Sequence, residues 1–373
     1  MNNNTPNTNP HTPMPPITPG QARIGIFDSG YGGLTILRQI RQLLPQYDYI
    51  YLGDNARAPY GSHSFDIIYR YTLQAVQALF QQGCQLVILA CNTASAKALR
   101  TIQQRDLPTL DPTRRVLGVI RPTVEAVGPL TRTHHIGLLA TQGTVNSGSY
   151  TLELHKLCPD ITVTSLACPM WVPLVENFEY DSPGADYFVK KRIEGIMRLD
   201  PDIDTLILGC THYPLLMNKI VKYTPPGVRI VPQGEYVAAA LRQYLMRHPE
   251  LNTMLSQRGT CHYLSTESHD KFNQSATMFR HENVSAEQIE LSASPTSSPT
   301  SLLSLLCLLS LICPSSLLCL LSLLSLICLL CLLCLLCLSS LICLSSLICL
   351  LSLICPSSLL CPSPPNNPIN IQL

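Results

Sequence analysis

Two cysteines occur in matched sequence contexts that would suit acid–base chemistry. Cys91 follows the apolar run 86–90, and Cys210 follows the apolar run Thr205–Gly209. In both places two polar residues come next, and then a segment with a helical pattern begins. Because the positive end of a helix dipole lowers the pKa of a nearby thiol, we expect each cysteine to be available as both thiol and thiolate. Two buried structural cysteines are the alternative, but they explain the matched contexts less well.

The chemistry best served by two such thiols is stereochemical inversion at a carbon atom. If they face each other across a cleft, one removes a proton from one face of the carbon and the other returns a proton to the opposite face. A cysteine hydrolase needs one nucleophile and one base, which leaves the second cysteine without a role. A zinc site needs three or four ligands, and the nearest further ligand type is His212, just after Cys210. We therefore predict no metal at this site.

The elements that would position these thiols follow an α/β pattern. From Arg23 onward, short apolar runs rich in β-branched residues alternate with longer helical periods, which is typical of βαβ units with a mainly parallel sheet. Both cysteines then lie at carboxyl ends of strands, where open α/β sheets bind ligands. The first run, 24–27, leads into Asp28, Ser29 and a glycine-rich loop that suits an anionic group. The glycine spacing is not a dinucleotide fingerprint and no P-loop lysine follows, so nucleotide binding is not predicted.

The charge distribution limits the folded region and the classes of partner. All 25 Lys and Arg and all 24 Asp and Glu lie between Arg23 and Glu290, and the net charge is +1. This balance disfavours a nucleic-acid footprint or a polybasic membrane patch. The leader 1–22, rich in Asn, Pro and Thr, has no secretory signal and is predicted to be disordered. The charged region is large enough to fold without disulfides, so we expect reduced cysteines and a cytoplasmic location.

The tail 291–373 has a low-complexity sequence. From Ser301 to Cys361 it contains only Leu, Ser, Cys, Ile and Pro, and every third residue is Ser or Cys. A period of three fits neither a helix nor a strand, and it favours a translated tandem repeat. A Cys-rich metal or lipidation segment is one alternative. The other is membrane insertion of the 301–361 tail, which is disfavoured because flanking Lys, Arg and aromatic residues are missing.

Several motifs, in order, resemble those of the glutamate racemase family. The resemblance runs from about Ile24 to Phe279 and leaves out the leader and the repeat tail. The sequence departs from the family at Arg121-Pro122, where an acid usually precedes the proline, and at Pro232-Gln233-Gly234, in place of the usual Asp-Ser. These departures bear on interlobe contacts and any effector site, and they leave the residues inferred for proton transfer unchanged. The matching motifs are Phe27-Asp28-Ser29-Gly30 with Gly32-Gly33-Leu34-Thr35, Gly53-Asp54, Ala58-Pro59-Tyr60-Gly61, Ala90-Cys91-Asn92-Thr93-Ala94-Ser95, Ala140-Thr141-Gln142-Gly143-Thr144, Val172-Pro173-Leu174-Val175-Glu176 and Leu208-Gly209-Cys210-Thr211-His212-Tyr213-Pro214-Leu215-Leu216.

The resemblance implies two similar α/β lobes with mainly parallel sheets and an active site in the interlobe cleft. The first lobe would comprise residues 23–119 and 232–290, and the second residues 120–231. The implied activity is cofactor-independent interconversion of L- and D-glutamate, which would supply D-glutamate for peptidoglycan, and a homodimer is compatible with it. Two alternatives stay open. One is a racemase of the same superfamily that acts on aspartate or another amino acid, and the other is a noncatalytic ligand-binding or interaction protein.

The resemblance also implies roles for individual residues. Cys91 and Cys210 match the two catalytic cysteines, the first taking the α-proton from D-glutamate and the second from L-glutamate. Asp28 matches the acid near the first cysteine, while Glu176 and His212 match the groups that assist the second. From the residues alone, Asp28 could cap a turn, His212 could be a packing residue and Glu176 an exposed acid. The positions that match substrate contacts are Asp28, Ser29, Tyr60, Gly61, Asn92, Thr93, Thr141, Thr144, Thr211 and His212.

The residues themselves also predict a reaction without a cofactor. Pyridoxal phosphate would need a Schiff-base lysine. No lysine stands out in the strand-end motifs, and the nearest one, Lys97, fits a solvated helix face better. Because an amino-acid α-proton is only weakly acidic, the carbanion then needs dense hydrogen bonding in a closed cleft.

Overall fold

A computed structural model describes residues 16–270, 272, 273, 276 and 285–291. The predictions made for residues 1–15 of the leader and for residues 292–373 of the tail, including membrane insertion of 301–361, lie outside the described residues. Within the described ranges, no helix is both long and apolar enough to cross a lipid bilayer.

The strands form two sheets in which every neighbouring pair is parallel. The described strands are β1 Arg23–Asp28, β2 Tyr49–Gly53, β3 Cys84–Leu89, β4 Arg115–Gly118, β5 His135–Ala140, β6 Thr162–Ala167, β7 Thr205–Gly209, β8 Arg229–Val231, β9 Cys261–Ser265 and β10 Ala286–Gln288. The strand order is β10-β9-β2-β1-β3-β4 in the first sheet and β6-β5-β7-β8 in the second. The predicted α/β fold with two mainly parallel sheets is thus confirmed.

Helices connect the parallel strands, as such connections require. The described α-helices are α1 Gly33–Leu43, α2 Phe65–Gln81, α3 Asn92–Lys97, α4 Leu99–Thr101, α5 Leu107–Leu110, α6 Ile120–Val127, α7 Gln142–Ser147, α8 Ser149–Leu157, α9 Trp171–Glu176, α10 Pro183–Leu199, α11 Met217–Tyr223, α12 Gly234–Arg247 and α13 Pro249–Met254. Short 3-10 helices cover Asn55–Arg57, Tyr60–Ser62, Gly128–Leu130 and Tyr213–Leu216, and a π-helical turn covers Ile102–Asp106.

The two sheets place their cysteine-bearing strands at equivalent positions. In the first sheet β3 pairs with β1, and in the second β7 pairs with β5. All residues of β3 and β7 are buried, because helices cover both faces of a parallel sheet and such strands are therefore apolar throughout. The matched sequence contexts thus have the same topological place. The residue bounds given above for the lobes stay predictions.

The contact between α1 and α12 fixes where the chain returns from the second sheet to the first. Leu34, Leu37 and Ile40 on α1 are buried, as are Val237 and Leu241 on α12, and the two helices pack against each other. Full burial of one such side chain stabilises the fold by about 1.5–3 kcal/mol. The start of α12 is thereby held close to the candidate site described below.

Asp204 is a buried acceptor immediately before β7. Its carboxylate accepts hydrogen bonds from the Thr131 hydroxyl (2.7 Å), the Arg132 N–H (2.7 Å), the Thr133 N–H (3.1 Å) and the Thr205 hydroxyl (2.9 Å). Burial by itself would raise the pKa of Asp204, but these donors outweigh it and lower the pKa to about 2. The carboxylate therefore stabilises the fold above the unfolded pKa of about 3.9, and this contribution is lost as the pH falls toward the folded value.

We expect Asp204→Asn to reduce the free energy of unfolding at neutral pH by about 1–3 kcal/mol, because the substitution removes the charge that strengthens these hydrogen bonds and replaces one acceptor oxygen by an NH2 donor. Urea denaturation measures this loss. The difference from the wild type should shrink as the pH falls below the unfolded pKa of Asp204. Asp202→Asn, which changes a neighbouring exposed carboxylate, is the control and should cost less than about 0.5 kcal/mol. Equal losses in the two variants would contradict the assignment.

Candidate active site

The candidate site lies where the carboxyl ends of the two sheets meet. Asp28 ends β1 and Cys91 follows β3, both in the first sheet, while Cys210 follows β7 in the second. The Thr211 hydroxyl donates a hydrogen bond to Oδ1 of Asp28 at 3.3 Å, which joins the two sides directly. The structure thus brings the predicted residues from both sheets together.

Cys91 caps α3 and is buried against the first glycine-rich loop. Its thiol donates to the Ser29 hydroxyl at 3.3 Å, and its sulfur accepts from the Ala94 N–H at 3.5 Å. Burial raises the pKa of the Cys91 thiol to about 12, and the charge of Asp28 and the nearby Cys210 add to this effect, while the two hydrogen bonds oppose it.

The expectation that the pKa of Cys91 is lowered toward neutrality was therefore wrong, because its net shift is upward. The sequence shows that a helix begins next to the thiol, but it does not show that the thiol is 5% exposed. The loss of hydration disfavours the thiolate more than one short helix end favours it. The raised pKa favours the thiol form of Cys91, which is a proton donor.

Asp28 is completely buried beneath the loop that follows β1. Its Oδ2 accepts the Gly30 N–H at 3.0 Å, and its Oδ1 accepts the Thr211 hydroxyl. Burial raises the pKa of Asp28, although the positive charge of His212 and the hydrogen bonds oppose the rise. Asp28 therefore does cap the turn, and it also acts on Cys91 through its charge.

His212 connects Cys210 to Glu176. Its Nδ1 lies 3.8 Å from Sγ of Cys210, and its Nε2 lies 3.0 Å from Oε1 of Glu176. Burial by itself would lower the pKa of His212, but the bonds to Cys210 and Glu176 outweigh it and raise the pKa well above 6.5. An imidazolium donates from both nitrogens, which suits the sulfur of Cys210 on one side and the carboxyl group of Glu176 on the other.

Three hydroxyl groups form a cluster across the cleft. Thr93 on α3 lies 3.0 Å from Thr141 and 3.4 Å from Thr144, measured between Oγ1 atoms. Thr141 caps α7 by accepting the Thr144 N–H at 3.3 Å. These hydroxyls supply several donors and acceptors at one place between the sheets, as the binding of a polar ligand requires.

Gly61 packs closely against this cluster, whereas the hydroxyl of the preceding Tyr60 is directed to Asp54. A Cβ on Gly61 would lie 2.9 Å from Cβ of Thr141, so the close approach of the two chains needs glycine. The Tyr60 hydroxyl donates to Asp54, which also accepts from Arg57 Nε. The hydrogen of that hydroxyl is thus committed to Asp54.

Sequence reasoning missed two residues that hold the candidate site. Asn92 is 2% exposed, and its carboxamide is hydrogen-bonded to the side chains of Gln233 and Tyr150. The glutamine was noticed above as a departure from a family pattern, without a role. No local sequence signal marks the tyrosine, because its contact with Asn92 exists only in the folded chain.

Gly32 lies against Thr211 and His212. A Cβ on Gly32 would overlap Oγ1 of Thr211 and would lie 2.5 Å from Nδ1 of His212. The main chain of Gly32 has φ −57° and ψ −35°, which any residue adopts, so the close approach rather than the dihedral angle requires glycine here.

We expect Gly32→Ala to lower kcat/KM for the glutamate racemisation that the sequence resemblance implies by about 10²-fold. The added methyl group displaces His212 from Cys210, and small displacements of this kind are costly in active sites. Steady-state kinetics and a thermal melt of the same sample measure activity and folding together. Gly184→Ala near the start of α10 is the control, since its Cβ would meet Ser182 Oγ at an ordinary 3.4 Å. A Gly32→Ala enzyme with wild-type kcat/KM would show that the loop does not hold His212.

Comparison with known proteins identifies the class to which this fold and site belong. Residues 33–241 match the sequence profile of a family described as Asp/Glu/Hydantoin racemase. The chain therefore belongs to the Asp/Glu/Hydantoin racemase family, a class of isomerases. Within this family the chain is similar to glutamate racemases. The glutamate racemase of Geobacter metallireducens is 38% identical over 245 residues, which cover 65% of this chain and 87% of the relative. That of Persephonella marina is 38% identical over 270 residues, covering 72% and 97%.

Solved glutamate racemases share the fold. The enzyme from Bacillus anthracis has a TM-score of 0.67 and 33% identity, covering 73% of this chain and 98% of the other. The Francisella tularensis enzyme, solved in complex with D-glutamate, has a TM-score of 0.65 and 32% identity with the same coverage.

Proposed function

We propose that the protein interconverts L- and D-glutamate with Cys91 and Cys210 as the two acid–base groups. The observation that carries the proposal is the placement of two thiols at equivalent strand ends of two facing sheets, each with its own assisting acid. Asp28 adjoins the first thiol, and Glu176 acts on the second through His212. A noncatalytic binding protein would need neither the matched thiols nor these partners.

In the direction from L- to D-glutamate, the thiolate of Cys210 takes the α-proton and the thiol of Cys91 donates a proton to the opposite face. The imidazolium of His212 stabilises the thiolate through Nδ1. After one turnover Cys210 carries the proton and Cys91 is the thiolate. The reverse reaction from D-glutamate then starts from that state, or proton exchange with solvent restores the first. The protonated Cys91 in the present structure suits the L-to-D direction.

The carbanion formed between the two steps needs electrostatic stabilisation, because no cofactor is invoked. The hydroxyls of Thr93, Thr141 and Thr144 supply donors in a site from which water is largely excluded. The remaining proposed substrate contacts are Asp28, Ser29, Tyr60, Gly61, Asn92, Thr211 and His212. Fixed donors of this kind lose little free energy in reorganisation as charge develops on the substrate.

The proposed physiological role is supply of D-glutamate for peptidoglycan in the cytoplasm. The support is the similarity to glutamate racemases and the six free cysteines among the described residues, which suit a reducing compartment. The boundaries proposed for the lobes are residues 23–119 with 232–290, and residues 120–231, since β9 and β10 belong to the first sheet.

The full-length protein incubated with L-glutamate in deuterium oxide, without added cofactor, tests the proposal. We expect loss of optical rotation and incorporation of deuterium at the α-carbon of the D-glutamate that forms. A double variant, Cys91→Ala with Cys210→Ala, controls for contaminating racemases. Exchange with aspartate instead of glutamate would keep the mechanism and change the substrate, whereas no exchange with either would refute the proposed reaction.

A further inference from the structure

Three buried side chains form a closed ring of hydrogen bonds next to Cys91. Gln233 Nε2 donates to the Tyr150 hydroxyl at 2.6 Å, the Tyr150 hydroxyl donates to Asn92 Oδ1 at 2.7 Å, and Asn92 Nδ2 donates to Gln233 Oε1 at 2.6 Å. Each member donates to the next in the same rotational sense. Hydrogen bonds arranged in this way polarise and strengthen one another.

The ring joins three parts of the chain that are far apart in sequence. Asn92 is the residue after Cys91, Tyr150 lies on α8, and Gln233 immediately precedes α12. Their side chains are almost completely buried, so water does not replace a lost bond easily. A fourth residue, Thr123, accepts the second Nε2 hydrogen of Gln233 at 2.9 Å from outside the ring.

Gln233, held by Thr123, fixes the direction of every bond in the ring, because the Thr123 hydroxyl donates its own hydrogen to the Val119 carbonyl and can only accept from Gln233 Nε2. A tyrosine hydroxyl can either donate or accept, and a carboxamide can be flipped by half a turn. Because Gln233 Nε2 donates to the Tyr150 oxygen, the Tyr150 hydrogen is directed to Asn92. Asn92 must then present Oδ1 to the tyrosine and Nδ2 to the glutamine. Without Gln233, the hydroxyl of Tyr150 could accept from a flipped Asn92.

One hydrogen of Asn92 remains outside the ring. Its Nδ2 carries two hydrogens, and one of them is used by Gln233. Within the part of the chain that the structure describes, the second hydrogen has no protein partner. It belongs to the residue that directly follows Cys91, at the edge where the two sheets meet.

We propose that Gln233 and Tyr150 are positioning residues that lock the Asn92 carboxamide so that it offers an N–H to a carboxylate of the amino-acid substrate. This inference rests on the proposed function, since it assigns a task within the same site. A flipped carboxamide would offer its oxygen to the substrate and would repel a carboxylate. The ring therefore selects an anionic group at this position, and its direction is decided by residues that do not touch the substrate.

Two isosteric substitutions test the ring. Gln233→Met removes all donors and the acceptor at that position, and Tyr150→Phe removes one hydroxyl. We expect each to raise KM for glutamate about tenfold with kcat changed less than about twofold, because a carboxylate contact is lost equally from the ground state and the transition state. The double variant should raise KM by about the same factor as either single variant, since one missing member already opens the ring.

Thr72→Val is the matched control. It removes a buried threonine hydroxyl on α2 that donates to the Ile68 carbonyl and contacts no member of the ring, so KM should stay within about twofold of the wild type. Thermal melts of all variants separate misfolding from misplacement. If Thr72→Val raises KM as much as Gln233→Met does, or if the two ring variants multiply in their effects on KM, the ring does not position Asn92.

Failure of the positioning role is distinguishable from failure of the proposed function. A wild-type protein that racemises no glutamate refutes the function itself. A wild-type protein that racemises glutamate, together with Gln233→Met and Tyr150→Phe variants of unchanged KM, refutes the positioning role alone. Binding of D-glutamate to each folded variant, measured by calorimetry, gives a second readout and should weaken about tenfold in step with KM.

Discussion

Cys91→Ala and Cys210→Ala will each lower the rate of glutamate racemisation by at least about 10³-fold, since acid–base catalysis by one positioned group is typically worth 10²–10⁴-fold. Each variant lacks the thiol on one face of the α-carbon, so a proton removed from the other face returns to the same face. Because the two enantiomers have equal free energies, kcat/KM must fall equally in both directions. Polarimetry started from each enantiomer measures this.

The single variants should keep one half of the chemistry. Cys91→Ala retains the base that acts on the L-enantiomer, and Cys210→Ala retains the base that acts on the D-enantiomer. With a glutamate analogue that carries a leaving group at the β-carbon, each variant should therefore eliminate it from one enantiomer only. Elimination from both enantiomers by either variant would contradict the assignment of one thiol to each face.

Cys84→Ala is the matched control for the cysteine variants. Cys84 begins β3, the strand that Cys91 follows, and it is equally buried. Burial also raises the pKa of the Cys84 thiol to about 12. Racemisation by Cys84→Ala should stay within about twofold of the wild type, because the thiol lies at the opposite end of the strand and away from the site. A loss comparable to that of Cys91→Ala would mean that burial, not acid–base chemistry, explains the effect.

His212→Asn will lower kcat/KM by about 10³-fold, which is the upper range for loss of one preorganised donor. The Asn amide can take the position of Nδ1 beside Cys210, but it carries no positive charge and does not reach Glu176. The lost quantity is therefore the charge that stabilises the Cys210 thiolate. Racemisation rates and a thermal melt of the same sample measure the effect. A variant with near wild-type kcat/KM would show that a neutral donor is sufficient.

The pH profile provides an independent check on His212. Its pKa is raised well above 6.5 partly by the bond to Glu176, so the imidazolium persists on the alkaline side of neutrality. Glu176→Gln keeps a hydrogen-bond acceptor but removes the charge, which lowers the pKa of His212. The alkaline limb of kcat/KM should therefore move to lower pH.

Glu179→Gln, an exposed acid three residues later, is the control for this profile and should leave it unchanged. An alkaline limb that stays in place in Glu176→Gln would show that the imidazolium does not govern it.

Much of the candidate site could be predicted from the sequence because its parts follow local rules. An apolar run that ends in Cys91 or Cys210 and is followed by a helix start defines a strand end in a parallel sheet. The same rule predicts Asp28 at the end of β1, whereas the resemblance alone implies Thr141, which follows β5. Each of these features needs only a few neighbouring residues.

The ionisation of Cys91, the engagement of the Tyr60 hydroxyl and the environment of Asn92 could not be predicted in this way. Asp54 holds Tyr60, and its contacts also include the Thr266 hydroxyl at 2.9 Å, far along the chain. Gln233 contacts Asn92 because the packing of α12 on α1 holds Gln233 near the site. Such contacts depend on how distant elements pack together, and a local sequence pattern contains no information about that packing.

The sequence by itself determined the α/β class, the parallel strands, the two matched thiols and Asp28 at a strand end, because apolar periodicity and strand-end chemistry are local properties. Only the tertiary structure decided that burial raises the pKa of Cys91, that His212 is held between Cys210 and Glu176, and that Gln233 contacts Asn92. Hydration, charge interactions and hydrogen-bond direction depend on which distant groups surround an atom, and that is settled when the two sheets meet.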